Sequence, residues 1–296
     1  MEPLLFSFPG NETLSRQLLK KAGVHAGESS LRRFPDGESY VRIHSDVRDR
    51  EVYVLCTLHR PDDKLMMLYF FTKTLREQGA RAVTLIAPYL AYMRQDKAFQ
   101  PGEAVSADLF AQLLSGWVDA LVTIDPHLHR HFNLDEIYTI PTSVLRAEPL
   151  IVDYIKNHIP DPILIGPDAE SKQWVAAIAK RAGCPFSVLT KERLGDRKVK
   201  VSVPDTPSFR QHTPILVDDI ISTGRTMIET ASHLLKQDIQ APICIGIHAV
   251  FAGLALQEMR QAGIQSILTT NTIPHPTNKL DVSGLLADWI NRRTGA

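Results

Sequence analysis

Short, nearly unbroken apolar runs recur along the whole chain, and longer amphipathic stretches fill the gaps between them. The runs are LLFSF (4–8), EVYVLC (51–56), AVTLIA (82–87), ALVTI (120–124), ILIG (163–166), FSVLT (186–190), ILV (215–217), ICIGIHAVF (243–251) and SILTT (266–270). A strand with one wet face alternates apolar and polar residues. A strand covered on both faces reads as continuous hydrophobic sequence, the habit of parallel sheets. The stretches at about 12–20, 62–78, 105–116, 148–158, 170–182, 225–236, 253–262 and 283–293 repeat apolar residues at helical spacing. Alternation of this kind demands crossover units, so the expected class is α/β with mostly parallel sheets flanked by helices. The pattern divides near Ile140-Pro141-Thr142 and resumes with the helix after Ala147. Two packed lobes with a cleft between them are expected, 1–144 and 145–279, with a terminal helix at about 280–296 packing on the first.

Composition narrows the partners. The formal net charge is zero, so nothing draws the whole molecule to nucleic acid or an anionic membrane. No apolar stretch reaches the roughly 20 residues a spanning helix needs, and MEPLLFSFPG lacks the basic start of a signal peptide. A cytoplasmic protein is expected. Cys56, Cys184 and Cys244 have no metal-ligand spacing and read as buried thiols in a reducing compartment. The chain contains neither G-x-G nor a Gly-Lys dipeptide, which removes the dinucleotide fingerprint and the Walker A loop.

One segment carries chemistry more sharply than the rest. ILVDDIISTGRT (215–226) is an apolar run leading into Asp218 and Asp219, then a small hydroxyl- and glycine-containing turn, then an amphipathic helix. In open α/β sheets, ligands sit at the carboxyl ends of strands. The turn formed by Ser222, Thr223, Gly224, Arg225 and Thr226 can aim backbone N–H groups and hydroxyls at one phosphate, and the helix N-terminus adds partial positive charge. Asp218 and Asp219 are poor phosphate ligands but good acceptors for ribose hydroxyls.

This segment resembles the signature of proteins that bind phosphoribosyl diphosphate on a type I phosphoribosyltransferase fold. RRFPDGESYVRI (32–43), YMRQDK (92–97), AVSADLFAQLL (104–114), TIDPHLHRHF (123–132), IGPDAES (165–171) and TNTIP (270–274) narrow the resemblance to the ribose-phosphate diphosphokinases. They follow that family's order over essentially the whole chain. The resemblance implies two similar phosphoribosyltransferase-like lobes. It also implies transfer of diphosphate from ATP to the anomeric hydroxyl of ribose 5-phosphate, giving phosphoribosyl diphosphate and AMP for nucleotide biosynthesis, with Mg2+ as cofactor.

Site residues follow from the same resemblance. Phe34, Asp36 and Glu38 match the segment that meets adenine, Arg94 and Gln95 the pair near the ATP phosphates, and His127 the metal-associated histidine of the ATP side. Asp168 matches an aspartate that binds ribose hydroxyls and magnesium, and Lys191 and Arg193 match the catalytic Lys-x-Arg at the foot of a closing loop, here KERLGDRKVKVSVPDTPSFRQHT (191–213). The family's Phe34 element reaches a neighbouring subunit's site, which implies a homo-oligomer with the ATP site near a subunit interface. Asp96 and Lys97 read as solvated loop charges, and His129 and His131 as helix-surface residues, although HxHxH also raises zinc as a rival.

The chain departs from the family at several points. Asp168-Ala169-Glu170-Ser171-Lys172 stands where glycines are common, Ser222 where an aspartate is common, and Arg225 where a small residue is common. The segment after Lys97 is short. These departures point to a non-classical subclass. The competing functions are a catalytically silent regulatory relative, which would lack Lys-x-Arg or the loop hydroxyls, and a phosphoribosyltransferase, which needs no ATP-side segments.

Overall fold

A computed structural model describes residues 2–128, 130–166, 171–193, 199–202 and 210–295. The chain divides into two compact units: Met1–Arg146 with Thr272–Pro274 and Val282–Ala296, and Ala147–Asn271 with His275–Asp281.

The first unit contains β1 (Leu4–Ser7), α1 (Glu12–Lys21), β2 (His25–Ala26), β3 (Ser29–Arg33), β4 (Ser39–Ile43), β5 (Glu51–Leu55), α2 (Asp62–Glu77), β6 (Ala82–Ala87), α3 (Ser106–Ser115), β7 (Ala120–Ile124) and β8 (Thr142–Leu145). The second contains α4 (Glu148–His158), β9 (Pro162–Gly166), α5 (Lys172–Ala182), β10 (Phe186–Val188), β11 (Thr190–Arg193), β12 (Val199–Ser202), β13 (Thr213–Ile221), α6 (Arg225–Lys236), β14 (Ile243–Ala249), α7 (Ala255–Gln261), β15 (Ser266–Thr270) and β16 (Asn278–Leu280). α8 (Ser283–Thr294) returns to the first unit.

Each unit has its own six-stranded parallel sheet. The orders are β2-β1-β5-β6-β7-β8 and β10-β9-β13-β14-β15-β16. The two orders are the same permutation. Each unit also inserts an antiparallel hairpin, β3–β4 or β11–β12, after its second sheet strand. The chain therefore runs one wiring scheme twice. The expected α/β class holds. The continuous apolar runs form the central strands: Val52–Leu55, Val83–Ala87, Ala120–Ile124 and Ile163–Gly166 are buried residue after residue.

Packing follows the sequence chemistry. Phe6 of β1 and Phe8 just beyond it both meet Phe71 of α2 edge-on at 5.3 Å, a favoured aromatic geometry. A Cβ at Gly27 would lie 2.5 Å from the Phe6 ring, so the ring requires glycine there. α8 lies against α1, where Asn291 accepts from the Gly23 N–H at 2.9 Å and donates to the Lys21 carbonyl at 3.0 Å. Burial pushes the Cys56 thiol up to about 12, and raises Cys244 by the same cause with the Asp218 charge adding to it. Both are therefore inert as nucleophiles. Among the described residues no helix is long and apolar enough to cross a membrane.

A chain wired this way reverses strand order once per sheet, between β1 and β5 and between β9 and β13. Helices leave to opposite faces at that point, which opens a crevice beyond the carboxyl ends of the two strands. In the first unit this position is filled by the chain's own groups. Asn11, almost fully buried, accepts from the Thr57 N–H at 3.1 Å and donates to the Phe8 carbonyl at 3.1 Å. The Thr57 hydroxyl donates to the Thr272 carbonyl at 2.6 Å, and Lys64 donates to the Thr57 carbonyl at 2.8 Å.

Candidate active site

In the second unit the same position carries the ILVDDIISTGRT segment. Among the described residues β13 pairs with β9 from Thr213 to Leu216 and with β14 from Ile215 to Ile221. Asp218 and Asp219 lie toward the carboxyl end of β13, and both are half-buried. Asp218 Oδ1 accepts from the Asp219 N–H at 3.0 Å. Beyond Ile221 the chain turns through half-buried Ser222 and exposed Thr223 into Gly224, the N-cap of α6. The Ser222 carbonyl is tied down by the Ala252 N–H at 3.1 Å.

Gly224 adopts φ +66°, a left-handed conformation that favours glycine. A Cβ there would also lie 2.7 Å from Met259 Sδ and 2.8 Å from Cγ. Glycine brings no side-chain cap, so the first-turn N–H groups of α6 remain for an anion, and the helix dipole favours one. Arg225 is exposed and Thr226 half-buried at that turn. Beneath it, Ile221, Met227, Ala231 and Met259 pack into the core.

The other sequence-predicted residues fall on four further segments. Phe34, Asp36 and Glu38 share the turn of the β3–β4 hairpin. The Phe34 N–H donates to the Glu38 carbonyl at 2.8 Å, Asp36 Oδ1 accepts from the Glu38 N–H at 3.1 Å, and Gly37 takes φ +95°. Arg32 lies over the rings of both Phe34 (4.6 Å) and Tyr40 (4.1 Å), which leaves Phe34 39 % exposed. Exposed Asp36 and Glu38 flank it.

Arg94 and Gln95 follow β6. Arg94 is exposed. Gln95 Nε2 donates to Glu103 Oε2 at 3.2 Å, and the same oxygen accepts from the N–H groups of Phe99 at 2.8 Å and Gln100 at 3.0 Å. The bonds from Phe99 and Gln100 hold the Glu103 carboxyl below its ordinary range, so it stays an anion. His127, half-buried, follows β7 and sits two residues after Asp125, a buried aspartate at φ +33° paired with Arg146 at 3.0 Å.

Lys191 and Arg193 lie on the backbone of β11, opposite Val201 and Val199. Asp168 and His129 fall outside the described residues. The first unit therefore carries Phe34, Asp36, Glu38, Arg94, Gln95 and His127, and the second carries Lys191, Arg193 and the 218–226 segment.

Two loop readings need correction. Asp96 is no solvated charge: its side chain is 3 % exposed and accepts from Arg130 Nη1 at 2.5 Å. His131 is not on a helix: it sits in a loop between Glu136 (3.2 Å) and Asp108 (3.7 Å). Among the described residues no group of three His, Cys, Asp or Glu side chains is disposed to hold a metal ion. Sequence reasoning missed Glu103, Asp96 and Arg130 as organisers of the Gln95 segment. Only Glu103 had a local signal, an acid directly after the Pro101-Gly102 turn.

Comparison with known proteins shows the family and the fold. Residues 4–117 match a family described as the N-terminal domain of ribose phosphate pyrophosphokinase, and residues 133–282 match the phosphoribosyl transferase domain. The chain is similar to a ribose-phosphate pyrophosphokinase of Sulfolobus acidocaldarius, 35 % identical over 84 % of this chain and 86 % of that one. It is likewise similar to ribose-phosphate pyrophosphokinase 2 of Archaeoglobus fulgidus, 33 % identical over 95 % of this chain and 98 % of that one. Among solved structures, phosphoribosylpyrophosphate synthetase from Mycobacterium smegmatis superposes with a TM-score of 0.86 at 27 % identity, covering 100 % of this chain and 99 % of that one.

Proposed function

Because the chain belongs to the ribose-phosphate pyrophosphokinase family, we propose that its second unit holds ribose 5-phosphate and its first unit the ATP that supplies the diphosphate. The enzyme is a ribose-phosphate diphosphokinase: it transfers diphosphate from ATP to the anomeric hydroxyl, yielding phosphoribosyl diphosphate and AMP. The observation that carries the site reading is the β13–α6 turn. Left-handed Gly224 and a helix start without a side-chain cap suit an anion, and two carboxylates precede them near the carboxyl end of β13.

In this reading Ser222, Thr223, Arg225, Thr226 and the first-turn N–H groups bind the 5-phosphate, while Asp218 and Asp219 accept from the ribose hydroxyls. Phe34 meets adenine, with Asp36 and Glu38 accepting from its amino group. Arg94 and Gln95 bind the polyphosphate, Arg94 through a guanidinium fork suited to phosphate oxygens. Lys191 and Arg193 neutralise the charge that builds on the transferring diphosphoryl group.

Magnesium, a hard cation, binds through one or two carboxylates together with substrate phosphates and water, and the Asp168 carboxylate is such a donor. His127 and Asp168 are the protein groups we assign to it, and when bound it neutralises negative charge on the triphosphate. A cytoplasmic homo-oligomer in which the Phe34 turn serves a neighbouring subunit completes the proposal. A monomeric mass in solution would remove that last part.

The deciding assay incubates the purified protein with ATP, Mg2+ and ribose 5-phosphate and follows AMP and phosphoribosyl diphosphate. Folded protein that makes no AMP would sink the reading. Asp219→Ala tests the ribose side. Loss of a hydrogen bond to a charged group costs about 1.5–3 kcal/mol, so KM for ribose 5-phosphate should rise roughly tenfold to a hundredfold while KM for ATP stays put. Equal effects on both constants would count against the assignment.

A further inference from the structure

Tyr92 has φ +64°, a backbone conformation that is a genuine outlier for a bulky side chain. Such a conformation persists only where the surroundings over-determine it, and it gathers at functional sites. Here the surroundings are visible. The Tyr92 hydroxyl donates to Asp62 Oδ1 in the first turn of α2, and its ring leans on Phe110 of α3 with centroids 4.8 Å apart. Ala91 and Met93 on either side are buried. The next residue, Arg94, is exposed, and two residues further on Asp96 is buried and paired with Arg130. Arg94 thus emerges from a short segment pinned at both ends. The same first turn of α2 also receives Arg33, whose guanidinium donates to the Asp63 carbonyl and ties down the hairpin that carries Phe34.

We propose that Tyr92, braced by Asp62, is a positioning residue that presents Arg94 to the phosphates of ATP. The inference rests on the assignment of Arg94 to the ATP side. Burial, reinforced by the bond to Asp62, pushes the Tyr92 phenol up to about 12, so it remains a hydrogen-bond donor across the range in which the enzyme works. Misplacing a binding group by about 1 Å from a distance costs up to roughly a hundredfold in rate or affinity.

The test is steady-state kinetics on Y92F, D62A, D62N, R94A and the Y92F/R94A double variant, with each substrate varied in turn and thermal midpoints recorded. Y92F and D62A should each raise KM for ATP roughly tenfold, with KM for ribose 5-phosphate unchanged. D62N, whose amide oxygen still accepts, should recover most of the D62A loss. R94A should raise KM for ATP at least as far, and Y92F should then add almost nothing, because the two act as one unit. Y92F with wild-type KM for ATP, or with its full effect retained in the R94A background, overturns the inference while leaving the ATP-side assignment standing. R94A with wild-type KM for ATP overturns both.

Discussion

Lys191→Ala is expected to lower kcat by roughly a hundredfold to a thousandfold, the usual loss when one preorganised group facing transition-state charge is removed. KM for ribose 5-phosphate should stay within about twofold of wild type, because a group that acts only in the transition state contributes little to ground-state binding. Diphosphate transfer offers the protein almost no covalent work. Its contribution is alignment and neutralisation of the charge on the moving group. Lys191 and Arg193 sit on β11, in the second of the two inserted hairpins, and they are the cations we assign to that task. The measurement is a pair of saturation curves with a single-turnover check. A large rise in KM for ribose 5-phosphate at unchanged kcat would move Lys191 from the chemical step to substrate binding.

Gly224→Val should be as damaging by a different route. Valine is penalised twice, once by φ +66° and once by Met259, 2.7 Å from where its Cβ must go. The left-handed conformation costs about 1–2 kcal/mol and the overpacking another 1–3 kcal/mol. The phosphate seat yields before the core does, so KM for ribose 5-phosphate should rise roughly thirtyfold or more. The thermal midpoint should fall by about 4–20 °C, at ~2–4 °C per kcal/mol. Trimming the neighbour separates the two causes. Met259→Ala in the Gly224→Val background should relieve the steric part and leave the conformational part, a coupling that a double-mutant cycle reads directly. If Gly224→Val binds ribose 5-phosphate normally, the anion seat lies elsewhere.

Both predictions start from residues that were conspicuous in the sequence, and the reason is physical. β13 announces itself because a strand between two others must be apolar on both faces. The 218–226 segment announces itself because strand, carboxylates, turn and helix start are consecutive. Three of the edge strands were not legible, although β10 was, through FSVLT. His25–Ala26, Thr142–Leu145 and Asn278–Leu280 are short and mixed in polarity, and only the neighbouring strand makes them strands. The β3–β4 hairpin is half legible: Pro35-Asp36-Gly37 is turn-forming sequence and YVRI a short strand-like run, while Ser29–Arg33 carries little apolar signal.

The braces of the ATP-side segments were illegible for a third reason. Tyr92 meets Asp62 and Asp96 meets Arg130 across 30 and 34 residues. No local pattern encodes a contact at that separation. Nothing in a tyrosine foretells a left-handed backbone, and nothing in Arg-Gln-Asp-Lys tells which charge will be buried.

The return of α8 to the first unit has a consequence for how the protein is made. A ribosome delivers all of Met1–Arg146 early, yet the helix that covers α1 is delivered only after the entire second unit. Chain growth at about 5–20 residues per second leaves the nascent first unit waiting on the order of ten seconds with the α1 surface uncovered. The second unit, apart from one three-residue excursion, is continuous in sequence and has no such delay. The half that emerges first is therefore the half completed last. Apolar surface meant for α8 is what a chaperone would meet during synthesis.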